Sequence, residues 1–180
     1  MAKAMWPLAG LTAVLAVLSA SLAATPPESA TRAPQAVATD VFVRQVTGML
    51  KFELASSHLA LKKTRSDAVL GFARQIILDY SAAGMKFRQA LSEAKLPVPR
   101  DAYDAAHKAL FDELSKTAPG KAFAKAYIDA QTRALYDDLD LFKAYAESGD
   151  NERLKFFAQE MVPVVRDHRE QVEKVEKARR

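Results

Sequence analysis

The chain has 180 residues, a net charge of +4 and no cysteine. That length suits one domain burying roughly 70% of its unfolded surface, and the lack of cysteine excludes disulfides, a thiolate nucleophile and cysteine metal ligands. Acidic and basic residues are interspersed except in the basic end Lys174–Arg180. So small a charge excess predicts a solvated surface and no nucleic-acid partner, with at most weak attraction to an anionic envelope surface.

Lys3, the apolar run Trp6–Leu18 and the small residues of Ser21-Leu22-Ala23 read together as a signal peptide over residues 1–23. Cleavage is expected after Ala23 or Ala24, giving an exported protein, periplasmic or secreted. The apolar run is short for a membrane span, and no later stretch approaches ~18 consecutive apolar residues, so the mature chain is expected to have no transmembrane segment. Residues 24–39 are rich in Pro and Ala and lack the large apolar side chains that order a segment, which predicts a flexible leader.

From Asp40 the hydrophobic period is helical, and residues 40–180 are expected to form one domain. A first helix, capped at Asp40, is predicted to Lys63, with Phe42, Val46, Met49, Leu50, Glu53, Ser57, Ala60 and Leu61 on one stripe. A second is predicted from the cap Ser66 to about Lys95, where Pro97 and Pro99 stop it. A short helix over Asp101–Lys116 makes the crossover. A fourth spans Lys121–Glu147, and Ser148-Gly149-Asp150 turns the chain into a last helix opened by Asn151 and carrying Pro163, which should kink it. Two tight hairpins joined by a crossover segment give an all-α, ferritin-like four-helix bundle.

One segment occurs twice. Ser66–Ile77 reads SDAVLGFARQII and Asn151–Val162 reads NERLKFFAQEMV, each followed by an acidic–ring dipeptide, Asp79-Tyr80 and Asp167-His168. The repeat implies two related hairpins. It also marks a core layer where Glu53, Asp79, Tyr80 and His168 lie at comparable heights, with helix four adding only Leu135. Buried polar groups need partners, so His168 is expected to bond Glu53 or Tyr80. His58 and the Asp104/His107 pair are expected on the surface, and Phe52, Phe87, Phe156 and Phe157 in the core. Catalytic signatures are missing: Ser56, Ser57 and Ser81 sit in helices, the glycines are isolated, and no Glu-x-x-His pair occurs.

The stretches FELASSHLALKKTRSDAVLGFARQIILDYSAA, LPVPRDAYDAAHKALFDELSK, KAFAKAYIDAQTRALYDDLDLF and GDNERLKFFAQEMVPVVRDHREQVE carry a resemblance. From about Asp40 to Lys177 the chain resembles a large bacterial domain-of-unknown-function family of secreted or periplasmic ferritin-like bundles, often labelled predicted outer-membrane proteins. The resemblance implies a glutamate at Glu53, Asp-His at Asp79-Tyr80, and histidines at Leu135 and His168. Such a set would suit one transition-metal ion, whether iron, zinc, manganese or copper. This chain keeps Glu53, Asp79 and His168 but has lost the ligands at Tyr80 and Leu135. The expectation is therefore a non-enzymatic binding or envelope-stress protein without a cofactor. A metal-binding or redox protein using Glu53, Asp79, Tyr80 and His168 is the alternative, and a carrier of an apolar molecule comes third. Oligomeric state is not set by the sequence.

Overall fold

A computed structural model describes residues 37–99 and 103–178. The expected signal peptide and most of the leader lie outside the described residues. Every regular element among those residues is helical: α1 Thr39–Lys63, α2 Asp67–Glu93, α3 Ala105–Lys116, α4 Lys121–Ser148 and α5 Glu152–Ala178. None is long and apolar enough to cross a membrane.

The ends of the helices follow from local chemistry. α1 starts one residue before the expected Asp40, which instead sits in the first turn and pairs with Arg44 at 2.7 Å. It ends as Thr64 turns extended and accepts from the Ser66 amide at 3.1 Å. Ser66 caps α2 by backbone position alone, without a side-chain hydrogen bond. At the other end of α2, Lys95 adopts φ 57° and the Leu96 amide returns to the Leu91 carbonyl at 2.9 Å, the paired closure of a Schellman turn. Pro97 then bars any continuation. α5 is capped as anticipated, with Asn151 Oδ1 accepting from the amides of Arg153 and Leu154 at 3.1 and 3.2 Å. Pro163 lies inside α5, which continues through it on the exposed face of the helix.

The four long helices pack in a ring, α1 on α2, α2 on α5, α5 on α4 and α4 on α1, with α3 laid against α1 and α4. Pairings along the helices set their directions. Phe42 stacks on Tyr145 at 3.8 Å at one end, whereas the Gly120 amide donates to the Lys63 carbonyl at 2.7 Å at the other. Phe87 meets Phe157, and Arg153 pairs with Glu93, so α2 and α5 are antiparallel too. α3 therefore carries the chain back along the bundle, from the level of Gly48 to the level of Lys63, where Lys63 Nζ donates to the carbonyls of Ser115 and Thr117. The two copies of the repeat open α2 and α5, and Phe72, Ala73 and Ile76 are buried as Phe157, Ala158 and Met161 are.

Two glycines are required by position. Gly48 lets the start of α3 close on α1, because a methyl group there would overlap the Asp104 carboxylate and stand 2.8 Å from its backbone nitrogen. Gly120 holds φ +95° where the crossover turns into α4, a conformation that suits glycine.

Candidate functional site: a polar layer inside the bundle

The aromatic and aliphatic core is interrupted at mid-height by buried polar side chains from every helix. α1 contributes Glu53, Ser56 and Ser57, α2 Tyr80, α3 His107, α4 Gln131 and Asp138, and α5 His168. They fall on the inner stripes because helical neighbours three or four residues apart share a face. Gln131, Leu135 and Asp138, for instance, belong to one stripe of α4, and all three are buried.

One cluster spans α1, α3 and α4. Asp104 caps α3, its Oδ1 accepting from the His107 amide at 3.0 Å, and its Oδ2 meets His107 Nδ1 at 2.5 Å. The other ring nitrogen, Nε2, faces Asp138 Oδ1 at 3.5 Å. Burial opposes a charge on this ring, but Asp138 and Asp104 outweigh it and raise the His107 pKa to about 9. Burial likewise pushes the Asp138 carboxyl up, with His107 holding it back in part.

A second cluster joins α2 and α5. His168 Nε2 bonds Asp79 Oδ2 at 2.8 Å, and the His168 ring stacks on Tyr80 with centroids 5.3 Å apart. Here burial dominates and lowers the His168 pKa, since the half-buried Asp79 offsets it only in part.

Glu53 lies between the two. Burial and the charge of Asp138 lift its pKa to about 8, against a smaller pull from His107 and from the Gln131 amide, which comes near without completing a hydrogen bond because it donates to Ser56. Nearby Ser57 bonds the Tyr127 hydroxyl at 2.8 Å, and Gln131 Nε2 donates to Ser56 Oγ at 3.1 Å. Yet both Glu53 oxygens, the Tyr80 hydroxyl, Gln131 Oε1, Asp138 Oδ2 and His168 Nδ1 make no hydrogen bond among the described residues. A native core holds few such atoms, and each costs about 1–3 kcal/mol, so their convergence marks this layer as the candidate site.

Residues 24–175 match the family described as domain of unknown function DUF4142. The chain belongs to this family. No curated protein and no solved structure matches the chain. Family membership agrees with the bacterial resemblance read from the sequence, and the site has to be argued from this member's own residues.

Of the four residues expected at the site, Asp79, Tyr80 and His168 are in mutual reach, and Glu53 is near enough that, second to burial, its ionised form would push the Tyr80 phenol up. His168 bonds Asp79 rather than Glu53 or Tyr80, because its outer ring edge is turned toward the α2 surface, where Asp79 is half-buried. Among the described residues no three His, Asp or Glu side chains gather as a metal-holding group. α4 brings more than Leu135: Gln131 and Asp138, one turn to either side, are both buried. His107 is buried as well, because α3 folds flat onto α1 and α4 instead of standing in solvent. Asp138 could have been found by its spacing from Leu135 and Phe142, but the exposed Asp137 and Asp140 on either side disguised it. Phe156 is 61% exposed beside its buried neighbour Phe157, one residue being enough to turn a helical side chain off the core face. His58 is exposed, as its position on α1 predicts.

Proposed function

We propose that the protein is an exported, periplasmic ferritin-like bundle with a non-enzymatic binding role, its occupant held in the polar layer around Glu53. The ferritin-like reading is supported by helix order: two antiparallel hairpins with one crossover running the length of the bundle. The observation that carries the binding role is the set of unpaired buried atoms on four different helices, led by a Glu53 carboxyl with neither oxygen bonded. Such groups are expensive to hold apart and become favourable when a ligand supplies partners. Native mass spectrometry of protein purified without denaturation tests this reading. A bound small species, lost in Glu53→Ala, supports it, and a bare polypeptide mass would sink it.

The metal-binding alternative draws on a narrower observation. His168 Nδ1 has no partner and lies in the same layer as Glu53 and Tyr80, while Asp79 orients the ring through Nε2, as outer carboxylates orient ligating histidines. In this reading Glu53 and His168 would hold iron, zinc, manganese or copper, with Tyr80 as a phenolate and Asp79 as the orienting group. Elemental analysis separates the two: one tightly bound transition metal, lost in both Glu53→Ala and His168→Ala, favours the metal.

A further inference from the structure

A groove of about 240 Å³ opens between α1, α3 and α4, with Asp104, His107, Asp137 and Asp138 along its polar side and Leu110 and Leu141 along its apolar side. We propose that this groove binds a small organic cation through a primary ammonium group. The groove borders the polar layer at the bundle centre and shares His107 and Asp138 with it, but the site proposed here is distinct from an occupant held at Glu53.

Charge is the first argument. Three carboxylates line the groove and one imidazole stands among them, so negative charge exceeds positive even with His107 protonated. Asp138 supplies the second. Its side chain is only 2% exposed, its Oδ1 has a single long contact of 3.5 Å to His107, and its Oδ2 has no partner. His107 matches only one oxygen of this buried carboxylate, so a further donor at the other would be favourable. The neighbouring Asp104 and Asp137 press on Asp138 in the same sense.

Chemistry and size then choose the ligand. A metal ion needs several donors around one centre, but the two nitrogens of His107 are engaged on opposite ring edges, one by Asp104 and one by Asp138. No three-residue metal group occurs among the described residues. An ammonium group imposes no such polyhedron and donates separate charge-assisted hydrogen bonds. Leu110 and Leu141 offer a wall for an alkyl stem, and the volume falls below the ~300–1,000 Å³ of drug-sized pockets, so the ligand is small.

Ammonium groups reach a protein either as free amines or as lysine side chains of a partner. Calorimetric titration of the full chain with 1,4-diaminobutane and with N-acetyl-lysine amide covers both sources. Saturable binding of either probe is expected, and the tighter of the two identifies the source. Asp138→Asn should weaken binding roughly 10- to 100-fold, the value of one charged hydrogen bond. Asp137→Asn, on an exposed position that leaves folding intact, should weaken it several-fold. His107→Gln removes the competing internal cation and should tighten binding. Absence of saturable binding, or affinities unchanged in both aspartate variants, overturns the proposal. So does a zinc ion that displaces the amine from the groove, which would assign the site to a metal.

Discussion

The two buried histidines make a controlled pair. Both sit in the same bundle and both touch an aspartate, yet His107 is pushed up to about 9 and His168 is pushed down. The difference lies in the number and burial of the carboxylates. His107 is held from both edges, by a half-buried Asp104 and a fully enclosed Asp138, whereas His168 has one carboxylate at the surface and a tyrosine ring against its face. Desolvation acts on both rings; only the pair of carboxylates is strong enough to reverse it. The α3 side of the core thus stores a charge that the α5 side expels.

The strongest way to break this comparison is to delete each ring. His107→Ala leaves Asp138 enclosed without its counter-charge and should cost about 3–5 kcal/mol in denaturant unfolding at neutral pH. His168→Ala leaves an aspartate that water can reach, and a loss of about 1–3 kcal/mol is expected. The two deficits should respond oppositely to pH. A raised folded-state pKa means that the His107 contribution is complete below the ordinary imidazole value of 6.5 and fades as pH rises through about 9. The lowered pKa of His168 gives stability that is present above the ordinary value and lost on acidification. Proton NMR titration of the imidazole resonances should place His107 near 9 and His168 below 6.5. Equal values for the two rings would remove the asymmetry.

Glu53 sharpens the same contrast from the middle. Its pKa is raised from 4.5 to about 8, so folding holds its proton more tightly than the unfolded chain does. The Glu53 contribution to stability is therefore complete below 4.5 and is lost as pH climbs toward 8. Glu53→Gln keeps the shape without the titration and should be more stable than the wild type by about 3 kcal/mol at pH 7, with a flatter pH profile. Matching profiles for the two proteins would mean that Glu53 is ionised in the fold.

Smaller effects concern how the clusters are held. Gly48→Ala pushes Asp104 away from His107 and should cost about 1–3 kcal/mol by overpacking, with the His107 titration moving down as its partner shifts. Tyr80→Phe removes a hydroxyl that has no partner and should change stability by less than about 1 kcal/mol, leaving both histidine titrations in place.

The long helices were legible because their apolar stripes persist over many turns, and their ends because Pro97, Gly120, Gly149 and Asn151 punctuate the chain. The Glu53, Tyr80 and His168 layer was legible for the same reason, each residue interrupting an otherwise apolar face. The Asp104–His107–Asp138 cluster was not. α3 buries only His107 and Leu114 among its own residues, so its stripe is too short to reveal an inner face. Asp138 stands in a run of charges whose outward members hide the inward one. Partnership across helices, such as His168 with Asp79, depends on side-chain direction, which spacing along one helix does not fix.

That thin burial of α3 has a kinetic consequence. A helix with two buried side chains and the part-buried Leu110 and Phe111 should open more cheaply than the four that form the ring, and its amides should exchange with deuterium before those of α1 and α4. Each opening takes His107 away from Asp138 and lets water reach the carboxylate. Proton exchange at His107 should then follow the opening of α3, which would tie the charge on this side of the core to the local stability of one short helix.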